Sequence, residues 1–186
     1  MELNAKNLEM LDKLPTGNVA DNNNAAPHQG VMDSGIKPID PACHMVGRAV
    51  TVQCFPGDNL ALHQGIYAAE AGDVLVIDGS ARDAEDIRKL GLPVFVRALN
   101  PSGTVKESLA KINVPVLAGG VLVKPGDIVV GDCDGVVVVP QDQEDQVFHK
   151  ALAKFEKEQH IVEALLAGKT TLEIYGFDKL IETKLA

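Results

Sequence analysis

GDVLVIDGSARD, residues 72–83, is the stretch on which the reading of this chain turns. A Gly-Asp turn feeds an apolar run, Val74-Leu75-Val76-Ile77, that ends in Asp78-Gly79. Four aliphatic residues bounded by turn residues predict a buried strand. AEDIRKL, residues 84–90, predicts a short helix behind it. Between the two stand Arg82 and Asp83. In α/β proteins, ligands gather where strands end and helices begin. Arg82 offers a planar fork for a carboxylate, and Asp83 offers hard oxygens for a divalent cation. Together they could hold an anionic substrate against a metal. The same residues also suit an ordinary helix N-terminus, with Ser80 as the cap and Asp83 favoured by the helix dipole. Local sequence leaves both readings open.

Upstream, leucines in helical phase predict a helix over residues 3–14 that Pro15 stops. A second short helix is expected within residues 16–26, although Asn22-Asn23-Asn24 suits a helix interior poorly. The Gly/Pro-rich residues 29–41 read as irregular backbone. VGRAVTVQC, residues 46–54, alternates and predicts a strand; residues 60–71 predict a helix after the turn PGDN. Downstream, residues 93–96 predict another strand, and residues 100–111 a loop or weak helix. Residues 114–123 and 128–139 are rich in Val and Gly and predict sheet, with DCDG, residues 132–135, as a loop between strands. Apolar residues from Val147 to Leu166 recur at helical spacing, predicting a long amphipathic helix or two over residues 142–166. Residues 170–175 read as a short extended segment and residues 177–184 as a last helix. The sum is one α/β domain with a mixed sheet: a core over residues 1–140 and a helical extension over 141–186. So long a C-terminal helix outruns the core and could pack on a neighbouring subunit.

The totals narrow the function. The chain has 186 residues, 46% of them hydrophobic, and a net charge of −9. With no Lys/Arg cluster, nucleic acid is not the expected partner. No apolar run approaches bilayer length and no signal peptide is visible, so no membrane partner and a cytoplasmic location are expected. Cys43, Cys54 and Cys133 form no paired motif and read as buried, reduced thiols. His63 could be a base or ligand, but a lone histidine on a helix is more often structural. His28 and His44 lack a ligand partner at useful spacing, and His149 and His160 fall on a solvated helix face. Asp132 and Asp134 resemble part of a cation loop without its distal Glu, and a turn between strands is the better reading. Gly119-Gly120 lacks the rest of any phosphate-loop pattern.

Six stretches, taken together and in order, carry a resemblance: GVMDSGIKPIDP (residues 30–41), VGRAVTV (46–52), PGDNLALH (56–63), DGSARD with LGLPVFVRALNP (within 78–101), INVPVLAGGVLVKPGDIVVGDCDGVVVVP (112–140) and GKTTLEIYG (168–176). The set resembles the family of the regulator of ribonuclease activity A, which includes divalent-metal aldolases for 4-hydroxy-4-methyl-2-oxoglutarate and 4-carboxy-4-hydroxy-2-oxoadipate. The resemblance implies a swivelling α/β/β core assembled as a trimer or dimer of trimers. It implies class II aldolase activity that releases pyruvate from 4-hydroxy-2-oxo acids, with oxaloacetate decarboxylation as a side activity and Mg²⁺ or Mn²⁺ as cofactor. Carried over by position, Arg82 looks like the catalytic, substrate-binding Arg and Asp83 like the metal ligand. A Glu from a neighbouring subunit completes the site in some members, and Glu156 or Glu158, both in the matching stretch, looks like that further metal ligand. The alternative is a non-catalytic regulatory binding protein or a shortened inactive relative. Regulators of that kind tend to lack the Asp that is present here as Asp83.

One departure stands out. Family members place a glycine-rich turn, a helix and a further strand between the GDVLVID-like strand and DGxxRD. Here the strand runs straight into DGSARD, and a crossover needs a dozen or more residues. The missing unit carries backbone N–H groups and an acidic side chain that serve the aldolase pocket.

Overall fold

The computed structural model describes residues 10–24 and 26–185. The helix expected over residues 3–14 lies mostly outside them. The described chain runs α1 (Thr16–Asn22), a 3₁₀ turn (Pro27–Gly30), β1 (Lys37–Pro38), β2 (Met45–Gln53), α2 (Leu60–Ala68), β3 (Asp73–Val76), α3 (Ala84–Leu90), β4 (Phe95–Val96) and β5 (Lys111–Ile112). It continues with β6 (Val116–Ala118), β7 (Val121–Val123), β8 (Ile128–Asp132), β9 (Gly135–Val139), a second 3₁₀ turn (Gln141–Gln143), α4 (Glu144–Leu166), α5 (Thr171–Tyr175) and α6 (Phe177–Leu185).

The main sheet is mixed, in the order β3-β2-β8-β9, with β5 pairing the far end of β2. β2, α2 and β3 form a β-α-β unit whose strands are parallel, while β8 is antiparallel to both β2 and β9. The Val-rich runs are explained by burial on both faces. On one face, Ile128, Val130, Val137 and Val139 pack with Leu11, Leu14, Val19, Val147, Phe148 and Ala151 under α1 and α4. On the other, Val129, Val136 and Val138 pack with Met32, Ile36, Ala49, Val76 and the β6–β7 hairpin. That hairpin turns on Gly119 and Gly120, at φ +54° and +79°. Two successive positive φ values make the tight turn that glycine allows, which accounts for the pair structurally.

Several expectations change. The strand expected to be buried is the edge of the main sheet, and only its last residue, Val76, is buried. Residues 37–38, expected to be irregular, pair with β4. Residues 170–175, expected to be extended, form the short helix Thr171–Tyr175 capped by Thr170: the Thr170 hydroxyl accepts from the Glu173 N–H while the Glu173 carboxylate accepts from the Thr170 N–H. This capping box was legible as T-x-x-E. The long amphipathic segment is one continuous helix of 23 residues.

Asp58 organises the loop after β2. It is buried and accepts backbone N–H bonds from Leu60 at 2.9 Å, Glu107 at 3.0 Å and Ser108 at 2.6 Å. These bonds, Leu60 first, hold its carboxyl below the usual 3.8. A depressed carboxyl stabilises the fold above the unfolded value, and that stabilisation is lost as pH falls through the folded value. Urea melts at about pH 6 and about pH 3 should therefore show a larger acid loss in the wild type than in Asp58→Asn. Equal losses would show that Asp58 contributes no acid sensitivity.

Candidate functional site

β3 pairs with β2 only as far as Thr51↔Val76. Beyond Val76 the chain changes neighbour. The Arg97 N–H donates to the Gly79 carbonyl at 3.0 Å, Ala81 N–H to Ala98 at 3.1 Å, and Asn100 N–H to Ala81 at 2.9 Å. Residues 79–81 thus run parallel beside residues 97–100, and Arg82 and Asp83 emerge where that pairing ends. They line an open cleft with Ala84, Leu99, Asn100 and Pro101.

Both side chains are exposed, Arg82 at 53% and Asp83 at 68%, with Arg82 Nε 3.4 Å from Asp83 Oδ2. Asp83 is the N-cap residue of α3, yet its side chain makes no capping bond and its backbone is left-handed, at φ +59° and ψ +35°. The cap expected from Ser80 is not formed, because the helix begins at Ala84 and its N-cap position falls on Asp83. A non-glycine residue in this region is costly, and such strain gathers at functional sites. The Asp83 carboxylate is thereby left as a hard-oxygen donor facing solvent beside a guanidinium. One carboxylate with open positions suits Mg²⁺ or Mn²⁺, which keep several waters.

The two C-terminal candidates separate. Glu158 is engaged within its own chain, accepting from Asn18 Nδ2 at 2.7 Å and lying 3.7 Å from Lys154. Glu156 is exposed and makes no ion pair among the described residues. Neither lines the Arg82–Asp83 cleft of the same chain. His63 is exposed on α2, away from the cleft, and His28 is exposed in the first 3₁₀ turn. His44 bonds Asp12 at 3.1 Å. His149 and His160 are exposed on α4, the latter 3.4 Å from Glu163. Asp132, Cys133 and Asp134 are the group of potential ligands that cluster most closely among the described residues. Asp132 is already occupied: its carboxylate accepts the Thr16 N–H and hydroxyl, each at 2.8 Å, and so anchors the start of α1. Burial pushes the half-buried Cys43 and Cys54 thiols up, away from reactivity, whereas Cys133, expected to be buried, is exposed in the β8–β9 turn.

Sequence reasoning missed a second polar group beside the site. Arg97 grips Asp78 with two bonds, at 3.0 and 2.7 Å, and reaches Asp33 at 3.1 Å. The Gly119 N–H also donates to Asp78, at 3.2 Å. Arg97 holds the Asp78 carboxyl below its usual 3.8. The signal was available only as an arginine directly after a strand, FVR.

The molecule is a mixed α/β domain that carries an Arg–Asp pair at the end of a parallel β-α-β unit. It belongs to the RraA-like family, described as Aldolase/RraA, whose model matches residues 16–81 and 75–138. A protein of Halalkalibacterium halodurans named "Putative 4-hydroxy-4-methyl-2-oxoglutarate aldolase" is 36% identical over 152 positions, covering 66% of this chain and 72% of that protein. An Azotobacter vinelandii protein of the same name is 29% identical over 124 positions, covering 51% of this chain and 76% of that protein. Among solved structures, a Streptomyces coelicolor protein described as an unusual member of the RNase ES inhibitor RraA family superposes with a TM-score of 0.70 at 24% identity, over 91% of this chain and 99% of that one.

The matches locate the shortening. Residues 75–81 are matched twice, once at the end of the first family segment and once at the start of the second. The 152 positions shared with the H. halodurans protein draw on 66% of 186 residues, about 123, so about 29 positions of the relative face a gap. The A. vinelandii match, 124 positions on 51% of the chain or about 95 residues, leaves about 29 again. A strand-helix unit is about that long, and the doubly matched residues are those where the chain passes from β2 to residues 97–100.

Proposed function

We propose that this protein is a divalent-metal-dependent lyase that cleaves the C–C bond beyond the 2-oxo group of small 2-oxo acids and releases pyruvate. The observation that carries this reading is the Arg82–Asp83 pair: a carboxylate held in a strained backbone conformation, free of capping bonds, beside a guanidinium in an open cleft. Arg82 binds the substrate carboxylate in a charge-assisted pair. Asp83 holds Mg²⁺ or Mn²⁺, whose chemistry is to draw electrons toward the 2-oxo oxygen. No lysine is needed.

Two substrate types differ in what they ask of the protein. Retro-aldol cleavage of 4-hydroxy-4-methyl-2-oxoglutarate requires a base to take the 4-hydroxyl proton as the C3–C4 bond breaks. Decarboxylation of oxaloacetate requires no such base, since CO₂ leaves and the electron pair stays on the pyruvate fragment. Apart from Asp83, the cleft lining holds no carboxylate or histidine. Glu156 of a neighbouring copy is our candidate base. The exposed apolar side chains of Val162, Leu166, Leu172, Tyr175, Phe177 and Leu180 support assembly as a trimer or dimer of trimers through the C-terminal helices.

Pyruvate release from both substrates, with Mg²⁺, with Mn²⁺ and with EDTA, tests the reading. We expect metal-dependent turnover, faster on oxaloacetate. Glu156→Gln should lower the aldol reaction by about 10²-fold and leave decarboxylation nearly unchanged. No pyruvate from either substrate in a folded oligomer would end the enzymatic reading. It would favour the second one, a regulatory binding protein, which the gap of about 29 positions supports.

A further inference from the structure

We propose that Arg97 is the positioning residue of the Arg82–Asp83 site, and that in this shortened chain its guanidinium holds the strand end that delivers both side chains. The inference rests on the reading of Asp83 as the metal ligand.

The geometry is a closed circuit. β2 stops supporting the chain at Val76, so the placement of residues 79–83 depends on residues 97–100. Three backbone hydrogen bonds make that connection. A short two-strand ladder can still tilt, and Arg97 removes that freedom. Its fork closes on both oxygens of Asp78, the residue directly before Gly79, while its remaining amine reaches Asp33 from another part of the chain. The Asp33 N–H donates to the Gly119 carbonyl at 2.7 Å, and the Gly119 N–H donates to Asp78. Asp33 and Asp78, from two segments distant in sequence, therefore meet on one guanidinium, and Asp78 lies four residues before Arg82. A lysine cannot make this arrangement, because it lacks the planar fork.

Position rather than stability is the expected contribution. Arg97 is 42% exposed, Asp33 62% and Asp78 29%. Ion pairs this open to water contribute little to folding. Breaking one that orients a metal ligand costs about 10- to 100-fold in metal affinity. Arg48 is the matched control. It also forms a two-bond pair, with Glu144, and reaches the Gly126 carbonyl, away from the cleft.

The test is Mn²⁺ titration followed by electron paramagnetic resonance, on wild type, Arg97→Gln, Arg97→Lys, Arg48→Gln and Asp83→Ala, with amide hydrogen exchange on the metal-free proteins. We expect Arg97→Gln to weaken Mn²⁺ binding about 10- to 100-fold with little change in melting temperature. Arg97→Lys should recover only part of the loss, and Arg48→Gln should bind as the wild type does. Exchange at Ala81 should quicken in Arg97→Gln and not in Arg48→Gln. Wild-type binding that Arg97→Gln leaves intact, or an equal loss in Arg48→Gln, overturns the role of Arg97 alone. No Mn²⁺ binding by the wild type overturns the reading of Asp83 and this proposal with it.

Discussion

Asp83→Ala is expected to reduce metal-dependent pyruvate release by about 10²- to 10³-fold, the loss typical of removing one preorganised electrostatic group. Asp83→Gly should lose the same activity and gain stability. The native residue sits at φ +59° with no capping bond to compensate. Glycine relieves a left-handed backbone that costs an ordinary residue about 1–2 kcal/mol, and aspartate somewhat less. Part of that gain is returned through the greater freedom of glycine in the unfolded chain. A net rise of up to about 1 kcal/mol in urea melts, together with lost turnover, would separate function from folding at this position. A stabilised Asp83→Gly protein that still turns over would show that the strained aspartate does nothing for the chemistry. Arg82→Ala should act differently, raising KM for the 2-oxo acid more than it lowers kcat, because its partner is the substrate carboxylate.

Phe148→Ala is expected to lower folding stability by about 3–5 kcal/mol. Phe148 is 2% exposed and lies in the cluster that joins α4 to β8, β9 and Leu11 and Leu14. Its ring is the largest fully buried side chain there. The loss should appear in denaturant melts as a lower midpoint with an unchanged slope. A change under about 1 kcal/mol would mean that the site collapses around the vacancy, against the close packing expected of a core. The consequence extends to the site, because α4 also carries Glu156. Loosening its root should weaken the aldol reaction before it touches decarboxylation.

Much of the architecture was legible because it depends on local pattern. Alternation in VGRAVTV, turn residues before VLV and IVV, and the helical phase of residues 144–166 each follow from side-chain period. The family was legible for a related reason: an ordered set of short motifs survives even where a unit between them has gone. The Arg82–Asp83 pair was also visible in sequence, as was the lack of room for a crossover before it.

What only the tertiary structure decided is pairing. Nothing in GDVLVIDGSARD says that its first half pairs with β2 and its second half with residues 97–100, since neighbours in a sheet are chosen by residues far along the chain. The same holds for the strand's place at the edge, for the closure of Arg97 on Asp78 and Asp33, and for the engagement of Glu158 by Asn18, which leaves Glu156 exposed. The left-handed turn at Asp83 is likewise invisible in sequence, since aspartate prefers it only weakly. Local chemistry determined which groups this protein could use, and long-range packing determined which of them stand free.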